Sequence, residues 1–479
     1  MKMLLPDEVR RAVHGRWLSR GPDQKIEGVS IDSRTAKPGD LFIAVKGNRY
    51  DGHDYLAKAA KAGCLAAIVR RNPQPPAEVL DRFTVGSIGV EDTVTALGEL
   101  GAFYRSYTPA SAIAVTGSNG KTTVKQMIHR VLSRRLRGSC GPKSFNNAVG
   151  VPLTLFGIEP ADDYVVCEIG SNRPGEVNVL SRIVKPDVAV VTCVGRSHLA
   201  GLRDLAHVAV EKVSILTGLA EQGLAVVSAD SKQLDRALLA YNCNTIRFGL
   251  ADSAALRLTG YKALGNGHRI EINERFCMDL AIPGRHNALN ALAVIAVAQR
   301  FGFDYDEIAA ALADFQSLES RLEFIHLPSA TIIDDTYNAN PDSLMAAAEV
   351  LAGCRAKRRV IIAGDMLELG QEAQSLHFEA GRDLAAKGVD LLIGVGPLGR
   401  YIAEGAAEKG AETEAFDSQS AAASALPKLL HAGDAILVKG SRAMEMERLI
   451  KPIKSALGSS RRRTKKAKAR KAKAKKKRR

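Results

Sequence analysis

Residues 113–124, IAVTGSNGKTTV, constrain this chain more than any other stretch. Apolar residues run into Gly117-Ser118-Asn119-Gly120-Lys121-Thr122-Thr123. The pattern predicts a short strand, a glycine loop and then a helix. Backbone N–H groups of such a loop, backed by a helix N-terminus, suit anionic oxygens. Lys121 is placed to reach the β- and γ-phosphates of a nucleotide, and Thr122 to offer its hydroxyl to Mg²⁺. The match to G-x-x-x-x-G-K-[ST] is incomplete, because Val115 stands where the first glycine belongs. The loop alone leaves the destination of the phosphate open between water, a hydroxyl and another acceptor.

The stretches around the loop set the fold class. Residues 111–320 alternate strand-like runs (SAIAVTG, DYVVCEIG, PDVAVVTCVG, GLAVVSAD) with helical ones. That alternation predicts a parallel sheet covered by helices. Within it, 245–282 reads as a few antiparallel strands and NALNALAVIAVAQRF (287–301) as an apolar helix. A small α/β region precedes it, and a second α/β unit follows, with ATIIDD, RRVIIAG, DLLIGVG and DAILVKG as strands. The expected domains are 1–105, 106–320 and 321–457, with a basic tail at 458–479. In an open parallel sheet the carboxyl ends of adjacent strands face the ligand crevice. Glu168 ends one such strand and His198 follows the next, so both are candidates to converge with Thr122 on the phosphates. Lys212 lies on an apolar helix fourteen residues past His198, and spacing alone reads it as a snorkelling lysine.

With 479 residues, 46% apolar and 25% charged, the chain has material for several buried cores. The start, MKMLLPDEVRR, is too short and too acidic to read as a signal peptide. No apolar run approaches the ~20 residues of a membrane span. The seven scattered cysteines include no C-x-x-C pair; they read as reduced thiols in a cytosol, without a structural zinc. The net charge of +15 is local: 461–479 holds 14 Lys and Arg and no acid, and removing those 14 leaves +1 for 1–460. Such a run repels itself and is expected to be disordered. RNA, anionic lipid and an acidic protein are its candidate partners, and a solvated tail without a role is the plainer reading.

TGSNGKTTVK, SFNNAVGVPLTL, EIGSNRPGEV, HLAGL…EK, PGRHNALNALA, SRLE, DDTYNANPDS and GDMLELG together resemble the Mur ligases. These are ATP-dependent, amide-forming enzymes of cytoplasmic peptidoglycan precursor synthesis. VSIDSRTAKPGDLFIAVKGNRYDGHDY (29–55) is similar to their nucleotide-sugar-binding domain. The resemblance covers about 25–455. It implies an N-terminal UDP-sugar-binding domain, a central P-loop ATPase domain and a C-terminal Rossmann-like domain. DDTYNANPDS and GDMLELG are most similar to the member that adds D-alanyl-D-alanine to UDP-N-acetylmuramoyl-tripeptide. The Asp-Asn-Pro-Arg motif of the third-residue-adding member is absent.

The resemblance implies ATP and two Mg²⁺ ions, with an acyl phosphate attacked by the incoming amine. It assigns Thr122 and Glu168 to one Mg²⁺, and His198 with a carbamylated Lys212 to the second. Asn287 and Asn290 match the adenine contacts, Arg321 the γ-phosphate contact and Asp335 the ribose contact. Lys121, Glu168, His198, Lys212 and Arg321 make up the implied catalytic set. Ser33 and Arg34 fall in the nucleotide-sugar segment. Phe145, Asn146 and Asn147 fall in the sugar–peptide loop, and Tyr337, Asn338 and Asn340 in the segment facing the dipeptide. A cytoplasmic monomer without membrane insertion is expected. Arg173 and Arg196 depart from the family pattern beside these motifs, so each either alters nucleotide contacts or points outward. The competing readings are a related amino-acid-adding ligase of murein-tripeptide or folylpolyglutamate type, a non-catalytic scaffold, and a P-loop NTPase with a nucleic-acid-binding tail.

Overall fold

The computed structural model describes residues 3–47, 49–264 and 267–458. The basic run at 461–479 therefore lies outside the described residues. The protein is a three-domain α/β chain whose sheets are of mixed type. By compactness it divides into two units: Met1–Val194 with Ala209–Arg257 and Asn290–Ile308, and Gly195–Val208 with Leu258–Leu289 and Ala309–Arg479.

The first unit carries two sheets. The smaller orders Arg16–Arg20, Gly86–Val90, Ala66–Arg70, Asp40–Ile43 and Gly28–Ser30 side by side. Only its first pair is antiparallel. The larger runs Gly138–Cys140, Tyr164–Glu168, Ser111–Thr116, Val188–Val191, Leu224–Ser228 and Asn244–Gly249, all parallel. Its central strands read VAVV, YVVCE and LAVVS and are buried throughout. Parallel sheets have both faces covered by helices, so their strands are continuous apolar runs rather than alternating ones. Val115, Val166, Val190 and Val226 are all 0% exposed for that reason.

One strand differs from expectation. TIRFGL, all but its last residue in the strand Asn244–Gly249, pairs parallel with Leu224–Ser228, not antiparallel. The helix Lys232–Leu238 supplies the crossover that a parallel neighbour needs. The antiparallel strands are those after it: Leu258–Leu264 of the next strand pairs with Gly267–Ile272, which pairs with Phe276–Leu280.

The second unit holds those strands and a six-stranded sheet ordered Glu323–Leu327, Ala330–Asp335, Asp434–Lys439, Arg358–Gly364, Leu391–Val395 and Glu412–Phe416. After the first hairpin its neighbours are parallel. Ile332, Ile362, Ile393, Ile436 and Val438 form the centre of its core. All seven cysteines are free thiols. Among the described residues no helix is long and apolar enough to cross a membrane.

Candidate active site

The middle of the larger sheet builds the phosphate loop. The strand Ser111–Thr116 lies between Tyr164–Glu168 and Val188–Val191, and the helix Lys121–Leu132 follows it. Two glycines make the turn possible. Gly117 has φ +143°, and a Cβ there would sit 2.0 Å from Thr192 Oγ1. Gly120 has φ +83°, and a Cβ there would sit 2.5 Å from Asn290 Oδ1. The neighbouring strand end braces the loop: Ser118 N donates to Cys193 O at 2.9 Å and Thr192 Oγ1 to Asn119 O at 2.5 Å. Lys121 Nζ donates to Gly117 O at 2.8 Å, so its ammonium lies over the loop.

Glu168, 1% exposed, ends the adjacent strand as its position requires. Its Oε2 accepts from Thr122 Oγ1 at 2.9 Å and its Oε1 from Asn146 Nδ2 at 2.9 Å. The structure thus brings together Thr122, Glu168 and Asn146. A residue the sequence reading missed also arrives: Lys125 Nζ lies 3.5 Å from Glu168 Oε2 and is fully buried.

Lys212 lies in the helix Leu205–Val213 and is 0% exposed. Among the described residues its hydrogen-bond partner is Ser171 Oγ at 2.7 Å. Burial, reinforced by the charge of Lys121, pushes its amine down to about 7. Desolvation penalises an ammonium in this way. Next to it, Glu211 accepts from Gly175 N (2.7 Å) and Val177 N (2.8 Å), pinning the start of the helix Glu176–Val184.

The remaining first-unit residues are more dispersed. Asn147 Oδ1 accepts from Val149 N and Gly150 N, which fixes the first turn of Gly150–Phe156, while Phe145 lies half-buried beside Gly150. Arg34 grips Asp32 with Nε at 2.9 Å and Nη2 at 2.6 Å, and those bonds hold the Asp32 carboxyl down at about 2. Ser33 is half-buried beside it. Arg173 is exposed, and its backbone N donates to Glu176, so this departure points outward.

The second unit makes its own cluster. Arg321 stacks over the Tyr337 ring at 3.8 Å, and Tyr337 N donates to Ser320 O. Asp335 accepts from Leu322 N (3.1 Å) and Lys439 Nζ (2.5 Å), and Lys439 also donates to Asn338 O at 2.8 Å. Lys439 was not singled out from the sequence. Asn340 caps the helix Pro341–Ala352 through Ser343 N at 2.8 Å. His198, with φ +56°, donates from Nδ1 to Glu368 Oε2 at 2.5 Å. Arg196 donates three times to the Asp342 carboxylate, from Nη2 at 2.7 Å, Nε at 3.0 Å and its backbone N at 2.6 Å. Asn287 and Asn290 fall one turn apart on the helix Arg285–Arg300, and both are 7% exposed.

Among the described residues no three His, Cys, Asp or Glu side chains gather as a metal cage. What exists is the Thr122–Glu168 oxygen pair. Hard oxygen donors in small number suit Mg²⁺, which takes its other ligands from water and phosphate. The donor set therefore fits the ion the sequence implied.

Three family models match the chain: the Mur ligase family catalytic domain over 25–105, the Mur ligase middle domain over 115–298, and the Mur ligase glutamate ligase domain over 320–442. The UDP-N-acetylmuramoyl-tripeptide–D-alanyl-D-alanine ligase of Bacillus subtilis (strain 168) is 34% identical, over 89% of this chain and 93% of its own. The Escherichia coli (strain K12) protein of the same name is 35% identical, over 91% and 95%. Among solved structures, MurF from Acinetobacter baumannii superposes with a TM-score of 0.85 at 31% identity, over 95% of this chain and 99% of that one. MurF ligase from Thermotoga maritima in complex with ADP does so at 0.81 and 26% identity, over 91% and 99%.

Proposed function

This chain belongs to the Mur ligase family, and from that premise we propose how its own residues divide the work. It is an ATP-dependent, ADP-forming ligase that adds D-alanyl-D-alanine to UDP-N-acetylmuramoyl-tripeptide in peptidoglycan synthesis. The observation that carries the reading is the phosphate loop with Thr122 bonded to Glu168 at the carboxyl ends of adjacent strands.

The acid substrate is an anion and a poor electrophile. Its carboxylate oxygen attacks the γ-phosphorus and ADP leaves, which gives an acyl phosphate. The amine of D-alanyl-D-alanine then attacks the carbonyl carbon, an amide forms and phosphate departs with the former carboxylate oxygen. Lys121 neutralises charge on the transferring group, and the loop N–H groups hold the phosphates. Thr122 and Glu168 would hold one Mg²⁺, and His198 with Lys212 a second. Bound there, the ions would draw negative charge off the phosphate chain. Lys212 suits carbamylation, because an amine pushed down to about 7 has a substantial neutral fraction, nucleophilic toward CO₂, near neutral pH. The carbamate replaces a buried amine with anionic oxygens.

Arg321 is assigned to the γ-phosphate, Asp335 to the ribose and Asn287 and Asn290 to adenine. Ser33 and Arg34 are assigned to the uridine nucleotide, and Phe145, Asn146 and Asn147 to the sugar and peptide. Tyr337, Asn338 and Asn340 are assigned to the dipeptide. Cytoplasmic location and a monomeric state complete the reading, with the tail beyond 458 dispensable for chemistry. An NTPase motor or switch is disfavoured, since it has no use for a glutamate ligase domain at 320–442.

The test is phosphate release from ATP with UDP-N-acetylmuramoyl-tripeptide, offering D-alanyl-D-alanine or single amino acids in turn. Release and a product of the summed mass minus water are expected with the dipeptide alone. ADP formation without a new amide would refute the proposal.

A further inference from the structure

Lys125 has no place in the chemistry above, yet it is among the largest fully buried side chains of the protein. It lies on the helix Lys121–Leu132, three residues after Thr122 and so on the same face. Its Nζ reaches three groups. One is Glu168 Oε2 at 3.5 Å, the oxygen that Thr122 Oγ1 also approaches. The others are two backbone carbonyls, Gly141 O at 2.7 Å and Lys143 O. Those carbonyls open the segment that carries Phe145, Asn146 and Asn147. Asn146 returns to Glu168 Oε1 at 2.9 Å, and its own carbonyl accepts from Gly170 N at 2.8 Å. Helix, carboxylate and loop thus form one closed ring of contacts with Lys125 at its hub. A buried ammonium is costly unless its donors are used. Here they are used on the candidate metal ligand and on the candidate substrate loop at once.

We propose that Lys125 is a positioning residue that sets Glu168 for metal and holds the 141–147 segment for the acid substrate, so that the two sites form together. The proposal rests on the ligase reading for the identity of the acid substrate, but not for the coupling itself. Groups that orient a metal ligand typically carry ten- to a hundred-fold in metal affinity or activity.

The experiment uses the full chain with Lys125→Met and Lys125→Gln. ADP binding is titrated with Mg²⁺ by calorimetry without acid substrate, and KM and kcat are measured separately. Lys125→Met is expected to raise the Mg²⁺ needed for half-maximal ADP binding by about ten-fold or more, and KM for the UDP-linked tripeptide by a similar factor. Its ADP binding in EDTA stays unchanged. Lys125→Gln, which keeps an N–H donor for the carbonyls but no charge, should recover KM and not the Mg²⁺ dependence. A folded variant with both constants within two-fold of wild type overturns the proposal, and so does a drop in melting temperature alone. Wild-type hydrogen exchange supplies a test independent of the variants. Mg²⁺ with ADP should slow exchange at 141–147, and no change there contradicts the coupling. If wild type binds Mg²⁺ and ADP as expected but makes no amide, the ligase reading fails while the coupling is still read from the titration and the exchange.

Discussion

Two lysines of the first unit are equally buried, both 0% exposed, and the protein uses them in opposite ways. Lys125 spends its donors on a carboxylate and two carbonyls. Lys212 has a single hydroxyl, Ser171 Oγ, among the described residues, and its amine is pushed down to about 7. Burial is the same; the partners differ. A buried lysine with a full set of acceptors is a fixed cation that orients its surroundings. A buried lysine with few becomes a neutral amine that can be chemically modified. The contrast separates architecture from chemistry within one sheet edge.

The largest effect that would break this comparison is at Lys212. Lys212→Ala should lower turnover about a thousand-fold, the scale of losing one charged group that stabilises the transition state. Short carboxylic acids should restore part of it, because they return the anionic oxygens. The same acids should do nothing for Lys125→Met. Wild-type-like turnover in Lys212→Ala, or acid rescue of both variants, removes the distinction.

A smaller effect follows from the direction of the Lys212 shift. Its folded-state value lies below that of a free lysine, so the amine is protonated below about 7 and neutral above it. Carbamate forms on the neutral amine. Forming it also releases a proton, so at fixed dissolved ¹³CO₂ the carbamate ¹³C signal should grow by at least about ten-fold from pH 6 to pH 8, the growth of the neutral amine alone. It should be absent from Lys212→Ala and unaffected by Lys125→Gln. A pH-independent signal contradicts the shift.

The strand–loop–helix at 111–132 and the acid at the end of the next strand were legible because each depends on local pattern: an apolar run, glycines, a lysine and a threonine in order. Lys125 was not. A lysine on a helix whose other face is apolar reads as a solvent-facing side chain, and only the packing of 141–147 against the helix buries it. The partners of His198 and Arg196 were hidden for another reason. Glu368 and Asp342 stand 170 and 146 residues further along the chain, beyond any spacing rule. TIRFGL was misread because it lies at the margin of the parallel sheet, with its first half exposed or half-buried, so its pattern imitates a one-sided antiparallel strand.

Arg196 sharpens the comparison from the surface side. Its pair with Asp342 is about one-third exposed on both partners, so solvent screens it in a way it cannot screen Lys125. Arg196→Ala should cost about 1 kcal/mol or less, a melting shift of about 1 °C or less for a chain of this length, with turnover within a few-fold of wild type. A loss as large as that of Lys212→Ala would place Arg196 in the chemistry. The smallest effect is expected from removing 461–479: turnover unchanged, checked by the same phosphate-release assay. A large loss there would make the basic run part of the catalytic machinery.

The central claim is that ATP is spent activating a carboxylate for attack by an amine, and isotope transfer tests it directly. UDP-N-acetylmuramoyl-tripeptide labelled with ¹⁸O at both oxygens of its terminal carboxylate is incubated with ATP, Mg²⁺, D-alanyl-D-alanine and the enzyme, and the released phosphate is weighed by mass spectrometry. The account predicts one ¹⁸O in each phosphate, matched by one new amide. Phosphate whose added oxygen comes from water, with no amide formed, would contradict it.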